Sequence, residues 1–262
     1  MKRNERLQKI ANEIRQGETM ADIGTDHGHL PVLLYAEGLC PHVIMTDVNT
    51  GPMEKARANW GAAFPEGPAG DFRIGSGLAP LAPGEADAIV IAGMGGILIT
   101  EILAADAEKA CTAKRFILQP RNNSGYLRAW LLDHGYRILR EQLAKEGRFF
   151  CEILTAEPPA EPYEAAGEDA RLSWFGADPA RTAGLEYPEA FGGPAEDLAR
   201  PYLEAMQRKQ EKIAAQIREK RAAQGPDAEK AETALAFAEA RIVRLAALLA
   251  AHKEKDDETD RI

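Results

Sequence analysis

Cysteine is scarce in this chain: Cys40, Cys111 and Cys151 are the three among 262 residues. They lie far apart and form no Cys-x-x-Cys pair, which excludes a disulfide framework and points to reduced thiols in a cytoplasmic protein. The five histidines are equally scattered. No His-x-x-x-His or Cys/His cluster is present, so no metal is expected. No run is long and apolar enough to span a bilayer, and the start lacks the basic, apolar and small-residue order of a signal peptide. Neither a membrane nor export is expected.

Positive charge is also in short supply. Lysine and arginine number 32 against 41 acids, a net charge of −9, which by itself argues against a nucleic-acid partner. The segment Ala113–Phe150 reverses that sign. Lys114, Arg115, Arg121, Arg128, Arg137, Arg140, Lys145 and Arg148 stand there against Asp133, Glu141 and Glu146. Such a patch can bind phosphates on an acidic protein; an ordinary solvated face is equally compatible with it.

What is present is most informative at Met20-Ala21-Asp22-Ile23-Gly24-Thr25-Asp26-His27-Gly28-His29-Leu30-Pro31. This reads as a strand, a tight glycine turn and a helix start, the unit that builds a nucleotide-sized pocket at the end of a parallel strand. A turn that holds pyrophosphate offers bare backbone N–H groups and avoids carboxylates. Here Asp22 and Asp26 flank Gly24, so a ligand positively charged at that point is expected. S-adenosylmethionine, with an ammonium and a sulfonium, meets that requirement; NAD does not.

Strand and helix patterns alternate from the start. An amphipathic helix is predicted over Asn4–Arg15, then strands at Thr19–Gly24, Val43–Val48, Asp71–Gly75, Ala86–Ala92 and Arg115–Leu118. Helices are predicted at His29–Glu37, Gly51–Gly61, Ile97–Ala110 and Ser124–His134, and a closing antiparallel hairpin at Tyr136–Leu143 and Phe149–Thr155. Five βα units and a hairpin make an open, doubly wound α/β sheet, and the terminal hairpin is the pattern of Rossmann-like class I methyltransferases. This domain is placed at 1–158. The Pro/Gly/Glu-rich stretch 159–194 reads as a connecting segment. In 195–262, Leu203, Met206, Gln210, Ile213 and Ile217, then Leu235, Ala238, Ile242, Leu245 and Leu249, keep heptad spacing on either side of Gly225-Pro226. That predicts an antiparallel coiled-coil hairpin with a disordered tail beyond Lys253.

Four further constellations bear on chemistry. Asp47 ends the second strand, where an acid accepts both ribose hydroxyls of an adenosine or, alternatively, caps local N–H groups. Gly75-Ser76-Gly77 would lie beside an adenine ring, or is a plain turn. Gly93-Met94-Gly95-Gly96 ends the central strand, and its missing side chains leave room for a flat base or for close helix packing. Gln119, Arg121 and Asn122 leave the next strand, with amides suited to a Watson–Crick edge and a cation suited to a phosphate. Asn123 reads as a helix cap. His27 and His29 could act as bases or make structural hydrogen bonds.

At these residues the chain resembles the TrmK family of tRNA adenine N1-methyltransferases. The resemblance rests on Ala21–Pro31, Asp47-Val48-Asn49-Thr50-Gly51-Pro52, Ile91–Gly96, Leu118-Gln119-Pro120 and Leu127-Arg128-Ala129-Trp130-Leu131, and the family's C-terminal coiled coil matches the hairpin above. Where the family commonly has Gly-Asp-Gly-Leu, this chain has Gly75-Ser76-Gly77-Leu78, so a hydroxyl replaces a carboxylate expected to accept from the adenine amino group. The resemblance implies methyl transfer from S-adenosylmethionine to N1 of adenine 22 of tRNA. The expected cofactor contacts are Asp22, Gly24, Asp26, His27, Asp47, Val48, Asn49, Gly75, Ser76, Gly77, Ala92, Gly93 and Met94. Gly95, Gly96, Arg121, Asn122 and Arg128 are expected to contact substrate, and Asp26 and Gln119 to stand near the reacting centre. A monomer is expected. The alternatives are a methyltransferase of a protein or small molecule, and a silent S-adenosylmethionine-binding module.

Overall fold

The computed structural model describes residues 4–163, 178–192, 197–222 and 228–259. Two compact units divide the chain: 1–123 with 129–166, and 124–128 with 167–262.

The first unit is built on seven strands: β1 Met20–Ile23, β2 Val43–Asp47, β3 Asp71–Ile74, β4 Ala88–Met94, β5 Arg115–Pro120, β6 Arg137–Glu146 and β7 Phe149–Glu157. Their order is β3-β2-β1-β4-β5-β7-β6. β1 to β5 are parallel; β7 runs antiparallel to both β5 and β6. The order reverses between β1 and β4, and a sheet of this kind binds ligands outside the carboxyl ends of its strands at that switch point.

Continuous apolar runs need cover on both faces. Met20, Val43, Met45, Ala88, Val90 and Ile117 join one core with Ile10, Leu30, Leu34, Ala56 and Trp60 of the helices. The alternate residues Ala21, Ile44, Ile89, Ile91, Phe116 and Leu118 point to the opposite face and are equally buried. Beside this core lies a buried ion pair, Arg115 with Glu18, whose Arg115 Nε has no hydrogen-bond partner among the described residues.

Helices α1 Glu5–Ala11, α2 His29–Ala36, α3 Thr50–Ala63, α4 Gly96–Ala105, α5 Ala107–Ala110 and α6 Ser124–Asp133 complete the framework. Asn4 caps α1, its Oδ1 accepting the N–H of Arg6 at 3.0 Å. The single helix predicted over Ile97–Ala110 is two, because Asp106 leaves helical geometry at φ −134°, ψ 50°. The five uniform βα units are not found either. β3 passes to β4 through successive turns, Ala79 N–H to Ser76 O and Leu81 N–H to Leu78 O. Pro80 and Pro83, which cannot donate within a helix, account for this.

The second unit holds α7 Pro179–Glu186, a 3-10 turn at Glu189–Gly192, α8 Ala199–Ala222 and α9 Ala228–Thr259. Part of the predicted connecting segment is thus helical, with Asp178 Oδ1 accepting the Ala180 N–H at 3.0 Å ahead of Pro179. Ile213, Ala214 and Ile217 pack against Leu235, Ala238 and Ile242. Arg218 Nη2 donates to Glu239 Oε1 at 2.7 Å. Further along, Gln210 Nε2 and Arg244 Nε both reach Tyr187, at 3.1 and 3.0 Å, as antiparallel pairing of α8 with α9 requires. Gly225-Pro226 lies outside the described residues. The tail expected to be disordered beyond Lys253 continues α9 to Thr259.

Candidate active site

A cavity of about 660 Å³ opens at the carboxyl ends of β1, β2 and β4. The turn after β1 forms its floor. The N–H groups of Gly24 and Thr25 both donate to Thr46 O at 2.9 Å, pinning this turn to β2. Gly24 has φ +71°, and a Cβ there would stand 2.3 Å from Met94 Cε, so two strand ends meet at a contact only glycine allows. Asp22 is 7% exposed, and its Oδ2 accepts from Thr25 Oγ1 at 2.7 Å. Burial pushes its carboxyl up to about 6, with Asp47 adding repulsion; the Thr25 bond and the Arg6 charge pull the other way.

Asp26 sits at the exposed lip in the left-handed region, φ +50°. His27 Nε2 lies 3.6 Å from Asp26 Oδ2, and the His27 ring lies parallel to His29 at 5.4 Å. Asp47 is buried at the end of β2, and its Oδ1 accepts the Asn49 N–H at 2.9 Å. Among the described residues its carboxylate makes no other hydrogen bond, which leaves an oxygen for a ligand. Val48, Asn49, Gly75, Ser76 and Gly77 line the same side, and Leu98 and Ile102 of α4 add apolar surface.

The end of β4 is held by its neighbour. Gln119 Oε1 accepts the Gly93 N–H at 3.1 Å, Gln119 Nε2 donates to Pro120 O at 3.0 Å, and Arg121 N–H donates to Met94 O at 2.7 Å. Ala92, Gly93, Met94 and Arg121 line the cavity. Every residue expected to touch cofactor is therefore gathered around one space.

The residues expected to touch substrate or stand near the reaction divide. Gln119 is buried beneath the cavity wall with its carbonyl oxygen occupied, so it supports Gly93 and does not itself line the space. Gly95 and Gly96 do not line it either. A Cβ on Gly96 would stand 2.5 Å from Asn123 O, and one on Gly95 would stand 3.1 Å from Asn122 Oδ1. Close passage of the backbone after β5 is the reason Gly96 is bare. Asn122 is exposed outside the cavity. Asn123 occupies the cap position of α6 at φ +53° but makes no side-chain capping bond. Arg128 corrects the expectation most clearly. It is 1% exposed, in the second unit, with Nη1 donating to Leu185 O at 3.0 Å and its guanidinium 5.5 Å from the Phe191 ring.

Among the lining residues that the sequence reading did not single out are Asn4, Arg6 and Glu146. Glu146 Oε1 accepts from Asn4 Nδ2 at 2.7 Å and from Arg6 Nε at 3.1 Å. Arg6 Nη1 also reaches Gln119 Oε1 at 3.2 Å. Sequence offered one faint signal, a cation in the first turn of a helix ahead of β1.

An acid-floored pocket at the switch point of a Rossmann-like sheet that ends in an antiparallel hairpin defines a class I methyltransferase. Residues 3–154 match the methyltransferase-domain family, and the chain belongs to it. A tRNA (adenine(22)-N(1))-methyltransferase of Bacillus subtilis is 36% identical over 164 residues, which are 60% of this chain and 66% of that protein. The chain thus matches slightly less than two thirds of that relative's length. The crystal structure of the B. subtilis M1A22 tRNA methyltransferase TrmK superposes with a TM-score of 0.74 at 28% identity, covering 95% of this chain and 99% of that one. Streptococcus pneumoniae Sp1610 in complex with S-adenosyl-L-methionine gives 0.72 at 25% identity, covering 94% and 99%.

Proposed function

We propose that this chain transfers the methyl group of S-adenosylmethionine to N1 of adenine 22 in tRNA, acting as a monomer in the cytoplasm. The observation that carries the reading is the gathering of acids and cations around one cavity, Asp22, Asp26 and Asp47 with Arg6 and Arg121. S-adenosylmethionine is positive at its ammonium and sulfonium, negative at its carboxylate, and carries a ribose diol. The residues present fit each part. Asp22 and Asp26 suit the positive groups and the free Asp47 oxygen suits the diol. Arg6 suits the carboxylate, since a guanidinium has five N–H donors and Arg6 uses Nε and Nη1 on Glu146 and Gln119. The backbone of Gly75–Gly77 can approach the adenine while Val48 and Leu98 cover its faces.

When bound, the cofactor supplies an already activated methyl group. The protein's part is then positioning and electrostatics. Adenine N1 has a free lone pair, so no side chain need remove a proton before transfer. The Gly93–Met94 backbone, held by Gln119, leaves a flat space for the base. Asp26 at the lip places negative charge where the methylated adenine becomes positive. Arg121, beside Gly93, meets the phosphate of the flipped nucleotide, since N1 is accessible only in an unpaired base. Among the described residues no helix is long and apolar enough to cross a membrane, and no cluster of metal-ligating side chains exists.

The test is incubation with labelled S-adenosylmethionine and unmodified tRNA, followed by mapping of the labelled nucleoside. N1-methyladenosine at position 22 is expected. Label elsewhere, or none on tRNAs that carry A22, would overturn the reading.

A further inference from the structure

The tip of the β6–β7 hairpin carries a side chain that neither the fold nor the cavity requires. Glu146 pairs with Phe149, so Gly147-Arg148 is a two-residue turn. Gly147 at φ +59° supplies the positive angle that a type II′ hairpin needs at its first turn position. Phe149 follows at 61% exposure, with the Arg148 guanidinium 5.0 Å from its ring centroid. Lys145 Nζ lies 5.9 Å from the Phe150 ring. β6 is the sheet edge. Lysine at that edge serves edge protection, a role that Phe149, on the inner strand β7, does not share.

Position gives the phenyl a use. Residues directly opposite on paired strands share a face. Phe149 therefore stands on the side of the hairpin from which Glu146 reaches the cavity. We infer that Phe149, with Arg148 beside it, is a stacking platform for an unpaired RNA nucleotide beside the target adenine. The inference rests on the proposed tRNA substrate and extends it to a second base. Turning the target adenine out of its stack strips its neighbour of a partner, and an aromatic ring replaces that partner whatever the base. The Arg148 guanidinium at the Phe149 ring, on an otherwise acidic chain, supplies charge complementarity to a flanking phosphate.

Phe149→Ala and Phe149→Trp test this, since an exposed tip residue changes without disturbing the core. With wild type first shown to methylate tRNA, Phe149→Ala is expected to raise the KM for tRNA about tenfold, the size of one lost base–aromatic stack. Phe149→Trp should restore it, and cofactor affinity and kcat at saturating tRNA should hold. Arg148→Ser should lower the slope of log binding constant against log salt by about one. An unchanged KM in Phe149→Ala overturns the platform while the enzyme reading stands. The same unchanged KM with an altered oligomeric state would assign the tip to contact between copies. Wild type that transfers no methyl to tRNA removes both.

Discussion

Arg6 and Gln119, far apart in the sequence, share a hydrogen bond of 3.2 Å, and the acceptor oxygen is the one that holds the Gly93 N–H at 3.1 Å. The first helix is thereby coupled to the backbone where the acceptor base would lie. Gln119 is a positioning residue in this arrangement, and Arg6 serves both it and the cavity.

Gln119→Leu keeps the volume and removes the acceptor. It leaves two N–H groups unpaired at a cost of about 1–3 kcal/mol each. Turnover is expected to fall about tenfold or more, with a smaller loss of cofactor affinity through Arg6. Equal losses in both, measured by steady-state kinetics and calorimetric titration, would show that Gln119 is not specific to the base site.

Asp47→Ala removes a carboxylate with one oxygen available to a ligand. Hydrogen bonds to charged groups contribute about 1.5–3 kcal/mol, so the cofactor dissociation constant should rise about tenfold to a hundredfold. Fluorescence titration reads this directly, and normal binding would remove Asp47 from the site.

The Asp22 carboxyl is raised from 3.8 to about 6 in the folded state. A folded value above the unfolded one means that the native chain holds the proton more tightly. Its contribution is fully present below pH 4 and lost as pH rises through 6, about 3 kcal/mol in all for the ligand-free protein. A cationic ligand favours the ionised form, so cofactor affinity should rise with pH up to about 6 and level off above. Asp22→Asn should flatten both profiles; chemical denaturation and titration calorimetry between pH 4 and 8 would follow them.

Gly24→Ala meets two obstacles, a φ of +71° and Met94 Cε at 2.3 Å. The thioether end can move, but its way out is into the cavity. A stability loss of about 1–2 kcal/mol is expected, together with weaker cofactor binding. Thermal melts with and without cofactor separate the two effects.

Glu18 and Arg115 form an ion pair deep in the first unit. Glu18→Ala strands the guanidinium and should cost about 3–5 kcal/mol. Replacing both with apolar residues of similar volume should recover most of that loss, without altering cofactor affinity per folded molecule. Denaturant midpoints of the single and double variants decide it.

The sheet was legible because each buried strand is a short apolar run bounded by turn residues, and the cofactor pocket because Asp22, Gly24 and Asp47 sit at strand ends. What escaped notice depended on partners distant in sequence. Arg6 reads as an ordinary solvated helix residue until Glu146 and Gln119 are placed around it. Arg128 reads as a surface cation, although its donors reach the backbone of α7 from within a motif that looked like substrate contact. Gly96 is bare for the sake of the chain crossing at Asn122–Asn123, which no local pattern announces. Pro80 and Pro83 stood in the sequence between β3 and β4 as a signal against a helix there, and the count of five βα units passed over them.

The bond from Asn4 to Glu146 spans 142 residues, and it bears on the order in which the molecule is made. Loop closure of that length comes late and rewards nothing until both ends exist. Residues around Asn4 must wait for the end of β6 before they find their place. A nascent chain that stops at β5 already has the acid-floored turn and the glycine loop, yet the wall joining them to α1 is missing. Release of the finished hairpin is therefore the moment at which the pocket closes, long after its floor has been synthesised.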